Sequence, residues 1–132
     1  MDADKLFRAY LDTWPDAWIM WPEGKNGQGK EKMKSLFAIE GDDPLSPHFA
    51  FNDILEFIKD DSILENKVRP LSSSEWLQGY FKTVRGRTMA KAHMQRHEPL
   101  MAITMFNTPP FKALMDGFFQ YVIEKEVKPC LI

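Results

Sequence analysis

The sequence holds one cysteine, Cys130, in 132 residues. An internal disulfide needs two thiols and a cysteine-based zinc cluster needs several, so neither is available. No apolar run approaches the roughly 20 residues of a membrane-spanning helix, and no membrane association is expected. No fixed period runs along the chain, which excludes coiled-coil, collagen and repeat architectures. Met1–Lys5 is acidic and polar where a secretory leader would carry a basic segment, so the expected location is cytoplasmic. The apolar fraction of 44% is too high for a disordered chain. The length suits one domain, residues 1–132. Ten Phe, four Trp and eight Met point to a core of large, adaptable side chains.

A net charge of −2 conceals a strong asymmetry. Residues 38–65 carry eight acids, among them Asp42, Asp43, Asp53, Asp60 and Asp61, against the single base Lys59. Residues 66–97 carry seven bases against the single acid Glu75. Such a split has two readings. Either a basic face meets nucleic acid while an acidic face points elsewhere, or the two segments attract one another within the fold.

Hydrophobic spacing gives a mainly α fold of five or six helices, with one or two short strands at 16–21 or 100–106 as an option. Leu6, Phe7, Tyr10, Leu11 and Trp14 share one face of a helix from Ala3 to Thr13, capped by Asp2. Pro22–Lys30 is glycine-rich and forms a loop, and Glu31–Ala38 suits a short helix. Ser46 and Pro47 open a helix that runs to about Lys59 and buries Phe51, Ile54, Leu55 and Ile58. Ser72 and Glu75 form a capping box, followed by Trp76, Leu77, Tyr80, Phe81 and Val84 on one face. Gly86 breaks or weakens that helix, and Thr88–Glu98 is helical again with Met89 and Ala92 inward and Met94 as a further option. Thr108 and Pro109 open a last helix whose wide apolar face, Phe111 to Ile123, belongs at the centre of the core.

Few patterns carry chemistry. Gly24 to Lys30 matches G-x-x-x-x-G-K, but Glu31 stands where a phosphate-binding loop needs a hydroxyl for magnesium. A loop that touches phosphates through Lys25 and Lys30 is the milder alternative. His93 and His97 lie four apart and Glu98 follows, a spacing for two metal ligands or for acid–base work. Neither His48 nor Cys130 is nominated as a third ligand, and the neighbouring Arg87, Lys91 and Arg96 would repel a cation. No metal, cofactor or catalytic residue is therefore expected. Residues 82–97 hold Lys82, Arg85, Arg87, Lys91 and Arg96 with no acid, and a phosphate backbone could follow them. No aromatics are interleaved for base stacking. Trp14, Trp18 and Trp21 cluster around two prolines, as core or as a partner-binding hot spot. The terminal Pro-Cys-Leu-Ile has only the outline of a prenylation box.

Three elements occur in order. They are Phe7-x-x-Tyr10-x-x-x-Trp14-Pro15, Gly29-Lys30-x-x-Met33-x-x-Leu36-Phe37, and Pro70 with Ser74-Glu75-Trp76-Leu77. Together they resemble modules of phage replication proteins, the replisome organisers and helicase-loading accessories. The likeness spans residues 7–77, with Met33 in place of a small residue and an extra stretch after Pro15. It implies a small helical accessory that binds a replication enzyme, DNA or both, and it carries no catalytic residues.

The leading expectation is a non-catalytic interaction protein, phage or mobile-element encoded. Its protein partner would belong to a nucleic-acid machine, with the chain as accessory or inhibitor. Trp18, Trp21, Asp42, Asp43, Asp60 and Asp61 are the partner-facing candidates. The alternatives are a DNA- or RNA-binding module using residues 66–97, and a small hydrolase using His93, His97 and Glu98.

Overall fold

Helix α1, Ala3–Leu11, starts where the Asp2 carboxylate accepts the Lys5 amide at 3.1 Å, as the sequence predicts. Its face of Ala3, Phe7, Tyr10 and Leu11 is buried, and Asp12–Trp14 continue as a turn. The computed structural model describes residues 2–14, 47–95 and 109–132, giving the backbone alone at 47–50, 93–95 and 109–111. Among these residues the remaining α-helices are α2, Pro47–Glu65, α3, Ser73–Phe81, α4, Val84–Gln95, and α5, Pro109–Val122. Helix α5 continues through a π-helical turn, Ile123–Val127, and a 3₁₀ turn, Lys128–Cys130. The architecture is mainly α, and the described residues contain no strand. The possible strands at 16–21 and 100–106, the 31–38 helix and the glycine loop lie outside the described residues.

Helix α2 outruns its expected end at Lys59 by six residues. The apolar period fades after Ile58, yet the helix runs on to Glu65. Ser62 Oγ is buried and donates to the Ile58 carbonyl at 2.7 Å. Asn66 then adopts φ 52° and closes the helix. Its amide donates to the Ile63 carbonyl at 3.2 Å, and the Lys67 amide donates to the Ser62 carbonyl at 3.1 Å. These two bonds define a Schellman stop, with asparagine in the left-handed position that glycine usually fills.

The capping box of α3 forms as expected: Ser72 Oγ accepts the Glu75 amide at 3.2 Å, and Glu75 accepts the Ser72 amide at 3.0 Å. The break after α3 lies at Lys82 and Thr83, not at Gly86. Thr83 Oγ1 accepts the Gly86 amide at 3.0 Å and so caps α4, which begins four residues earlier than its apolar pattern indicates. Gly86 is buried, and a Cβ there would fall 2.0 Å from the Tyr80 carbonyl oxygen. The glycine is present because α4 folds back onto the end of α3 at backbone contact distance.

One cluster of buried side chains joins α1, α2, α3, α5 and the π turn. Helix α5 lies at its centre, with Leu114, Met115, Phe118, Phe119, Val122 and Ile123 buried. Phe118 meets Phe7 edge-on at 4.9 Å between ring centroids. Polar contacts pin the helices at defined points. The Ala3 amide donates to Asn52 Oδ1 at 2.6 Å, and the Ser73 amide donates to Asp116 Oδ1 at 3.0 Å. The Tyr10 hydroxyl donates to the Leu114 carbonyl at 2.9 Å. Burial pushes the Tyr10 phenol up to about 12.

A Cβ at position 117 would lie 2.2 Å from the Tyr10 hydroxyl oxygen. Gly117→Ala is therefore expected to destabilise the protein by about 2 kcal/mol despite alanine's better helix propensity. In a Tyr10→Phe background the added cost should shrink to under about 1 kcal/mol, because the clashing oxygen is gone. Urea titrations followed by far-UV circular dichroism on the four chains of this cycle measure the difference.

Candidate functional site

An arginine and a tyrosine converge on one carboxylate beside the α3–α4 turn. Asp53, on α2, accepts from the Tyr80 hydroxyl of α3. It also accepts from Arg85, in the first turn of α4, whose Nε lies 3.0 Å from Oδ1 and 3.2 Å from Oδ2. Arg85 Nη2 donates to the same carboxylate as well. Arg85 Nη1 reaches Asp60 Oδ2, about two helical turns along α2 from Asp53, at 3.6 Å. Burial raises the Asp53 pKa, but the hydrogen bonds from Arg85 and Tyr80 and the guanidinium charge outweigh it and hold the carboxyl below its usual range. Burial, with the neighbouring Asp53, pushes the Tyr80 phenol up.

Beside this triad runs an open groove of about 660 Å³, lined by Asp53, Thr83, Val84, Arg85, Thr88, Met89 and Ala92. Its charged members are already paired with each other, which leaves an apolar surface of Val84, Met89 and Ala92. Val84 is 73% exposed, although its spacing from Tyr80 suggests the inner face of a longer α3. The chain turns at Lys82 and Thr83, so Val84 starts a new helix with a different heading. Met89 and Ala92, expected inward, are only partly buried and face this groove.

The acidic and basic segments do meet. Arg85 pairs with Asp53 and Asp60, and Arg69 pairs with Asp61 at 3.3 Å and Glu65 at 3.8 Å. Arg85 is therefore a brace between helices in this structure. Asp61 is mostly buried beside Arg69, with its second oxygen enclosed and without a hydrogen-bond partner. Asp60 is exposed, with Arg85 as its ion-pair partner. Lys82, Arg87 and Lys91 are exposed, and Arg87 and Lys91 sit four apart on α4. Lys25, Lys30, Arg96, Trp18, Trp21, Asp42 and Asp43 lie outside the described residues, as do His97 and Glu98, and the side chain of His93 is not described.

No group of three or more His, Cys, Asp or Glu is placed to hold a metal ion among the described residues. No described helix is long and apolar enough to cross a membrane. Cys130 is exposed, with Sγ 3.4 Å from the Glu126 carbonyl. Sequence reasoning did not find the Asp53–Tyr80–Arg85 triad. Tyr80 and Arg85 stand 27 and 32 residues from Asp53, and the only signal was the general one that the acidic and basic segments attract one another.

Because Asp53 has a lower pKa folded than unfolded, its contribution is full above the ordinary carboxylate range and is lost as pH falls through the folded value. Asp53→Asn is expected to cost about 1 kcal/mol near neutral pH, a modest figure because both partners are partly open to solvent. The gap to the parent protein should close below about pH 4. Denaturation midpoints of both chains across this range give the test.

Comparison with family models, with curated proteins and with solved structures finds no match to this chain.

Proposed function

We propose that the chain is a non-catalytic interaction protein whose groove along α4 receives a protein partner, and that this partner works in a nucleic-acid machine. The supporting observation is the groove's apolar lining, led by Val84 at 73% exposure and continued by Met89 and Ala92. An exposed valine beside a methionine and an alanine offers little to a small polar substrate and much to an apolar side chain of a partner. The walls belong to helices braced by the Asp53 triad, so the surface is held in shape before binding. The replication setting, and a phage or mobile-element origin, rest on the likeness of residues 7–77 to phage replication modules.

A second reading, direct contact with DNA or RNA, draws on Lys82, Arg87 and Lys91, which are exposed and lie in an acid-free run. It has lost Arg85 to the triad.

Capture of the tagged chain from host lysate, with and without nuclease, separates the two. The interaction reading expects a protein that stays bound after nuclease treatment. Val84→Asp should reduce its recovery about tenfold, a loss typical of an interface anchor. This change is expected to leave the fold intact, because the site is exposed and an acid suits a helix start. Equal recovery with Val84→Asp, or loss of every bound protein on nuclease treatment, overturns the reading.

A further inference from the structure

We infer that α4 opens as a unit while the other described helices stay folded, and that Arg85 on Asp53 is the latch that keeps it closed. The groove beside α4 then exists only with the latch shut, whether or not a partner binds there.

The sequence of α4 works against a helix that stands alone. It has 12 residues, and isolated helices below about 12–15 residues are marginal in water. Its first turn holds the β-branched Val84 and Gly86, a poor helix former. Arg85 and Arg87 share that turn with no acid, and cations oppose the positive end of the helix dipole.

Packing does not make up the difference. The buried cluster draws on α1, α2, α3, α5 and the π turn and includes no described side chain of α4. From Val84 to Ala92 the side chains are exposed or half-buried, and the one buried position is Gly86, beside the turn. Helix α3 is shorter, at nine residues, yet it buries Trp76, Leu77 and Tyr80.

What reaches across from α4 is Arg85. Among the described residues it is the one α4 side chain that bonds to another helix. Its Nε lies 3.0 and 3.2 Å from the Asp53 carboxylate oxygens, and its Nη1 lies 3.6 Å from Asp60. Thr83 bonds to Gly86 within the turn, and Thr88 bonds back to Val84 within α4. Asp53 thus brings α4 the negative charge its own first turn lacks, and neutralises one of the two arginines there. The latch is also weak enough to open. Arg85 is 44% exposed, and a pair so open to solvent contributes modestly. Lys82 and Thr83, between the two helices, are the hinge.

Native-state hydrogen exchange on the full chain at low urea is the test. The α4 amides from Thr88 to Ala92 should exchange faster than those of Leu55, Ile58, Phe118 and Val122. Their exchange should depend little on urea, because a local opening exposes little surface. Gly117→Ala weakens the core and should speed core exchange roughly thirtyfold while leaving α4 unchanged. Asp53→Asn should speed α4 exchange about fivefold. Amides of α4 that follow the core in urea and in Gly117→Ala overturn the inference, since α4 then opens only with the whole chain. So does α4 exchange that is indifferent to Asp53→Asn, which would leave Arg85 no latch, and so does an α4 without protection in the parent chain. All of these rates are read with no partner present, so a failure of partner capture leaves them untouched.

Discussion

The geometry of the groove depends on one carboxylate. Asp53 sits on α2, receives a hydroxyl from α3 and a guanidinium from α4, and so ties three helices at a single point. The α3–α4 turn alone does not set the direction of α4. Thr83 caps the new helix and Gly86 lets it approach the Tyr80 carbonyl, but the Arg85–Asp53 pair decides which face turns to α2. Val84, Thr88, Met89 and Ala92 then line the groove beside that pair. A partly buried charge pair is a modest source of net stability, yet it is demanding in geometry, and here its consequence is orientation.

Elsewhere the helices are positioned by the same economy of polar contacts around a large aromatic core. The first amides of α1 and α3 have no partner within their own helices. Asn52 on α2 accepts the first, and Asp116 on α5 accepts the second, so each helix start is fixed by a neighbour across the core. Tyr10 adds a third point, its hydroxyl reaching the α5 backbone at a position opened by Gly117. These bonds have defined directions, whereas Phe7, Phe118, Phe119 and Trp76 contribute area without choosing a register. The core supplies cohesion and the polar points supply the arrangement.

The sequence revealed what was local. The Asp2 cap, the Ser72–Glu75 capping box, the buried face of α2 and the broad apolar face of α5 all follow from spacing within one helix, and all are present. Features that depended on distant residues or on unusual stops were hidden. Helix α2 continues to Glu65 and stops where Asn66 accepts a left-handed backbone, which is not an apolar-period signal. Gly86 suggested a helix break because glycine is a poor helix former, yet its role is to admit a carbonyl from another helix. The exposure of Val84 followed from the turn at Thr83, which the continuous apolar spacing from Trp76 concealed.

Charge was the least legible property and the most informative once placed. In sequence, Arg69, Arg85, Arg87 and Lys91 belong to one basic run and share one apparent meaning. In the fold, Arg69 and Arg85 close onto acids of α2, while Arg87 and Lys91 remain on the outer face of α4. The first two answer a need of the chain itself, since Asp53 and Asp61 would otherwise be partly buried without a counter-charge. The other two form no ion pair with an acid among the described residues. The distinction lies in which carboxylates the fold brings within reach, so a count of positive residues along the sequence overstates the nucleic-acid case by treating all of them alike.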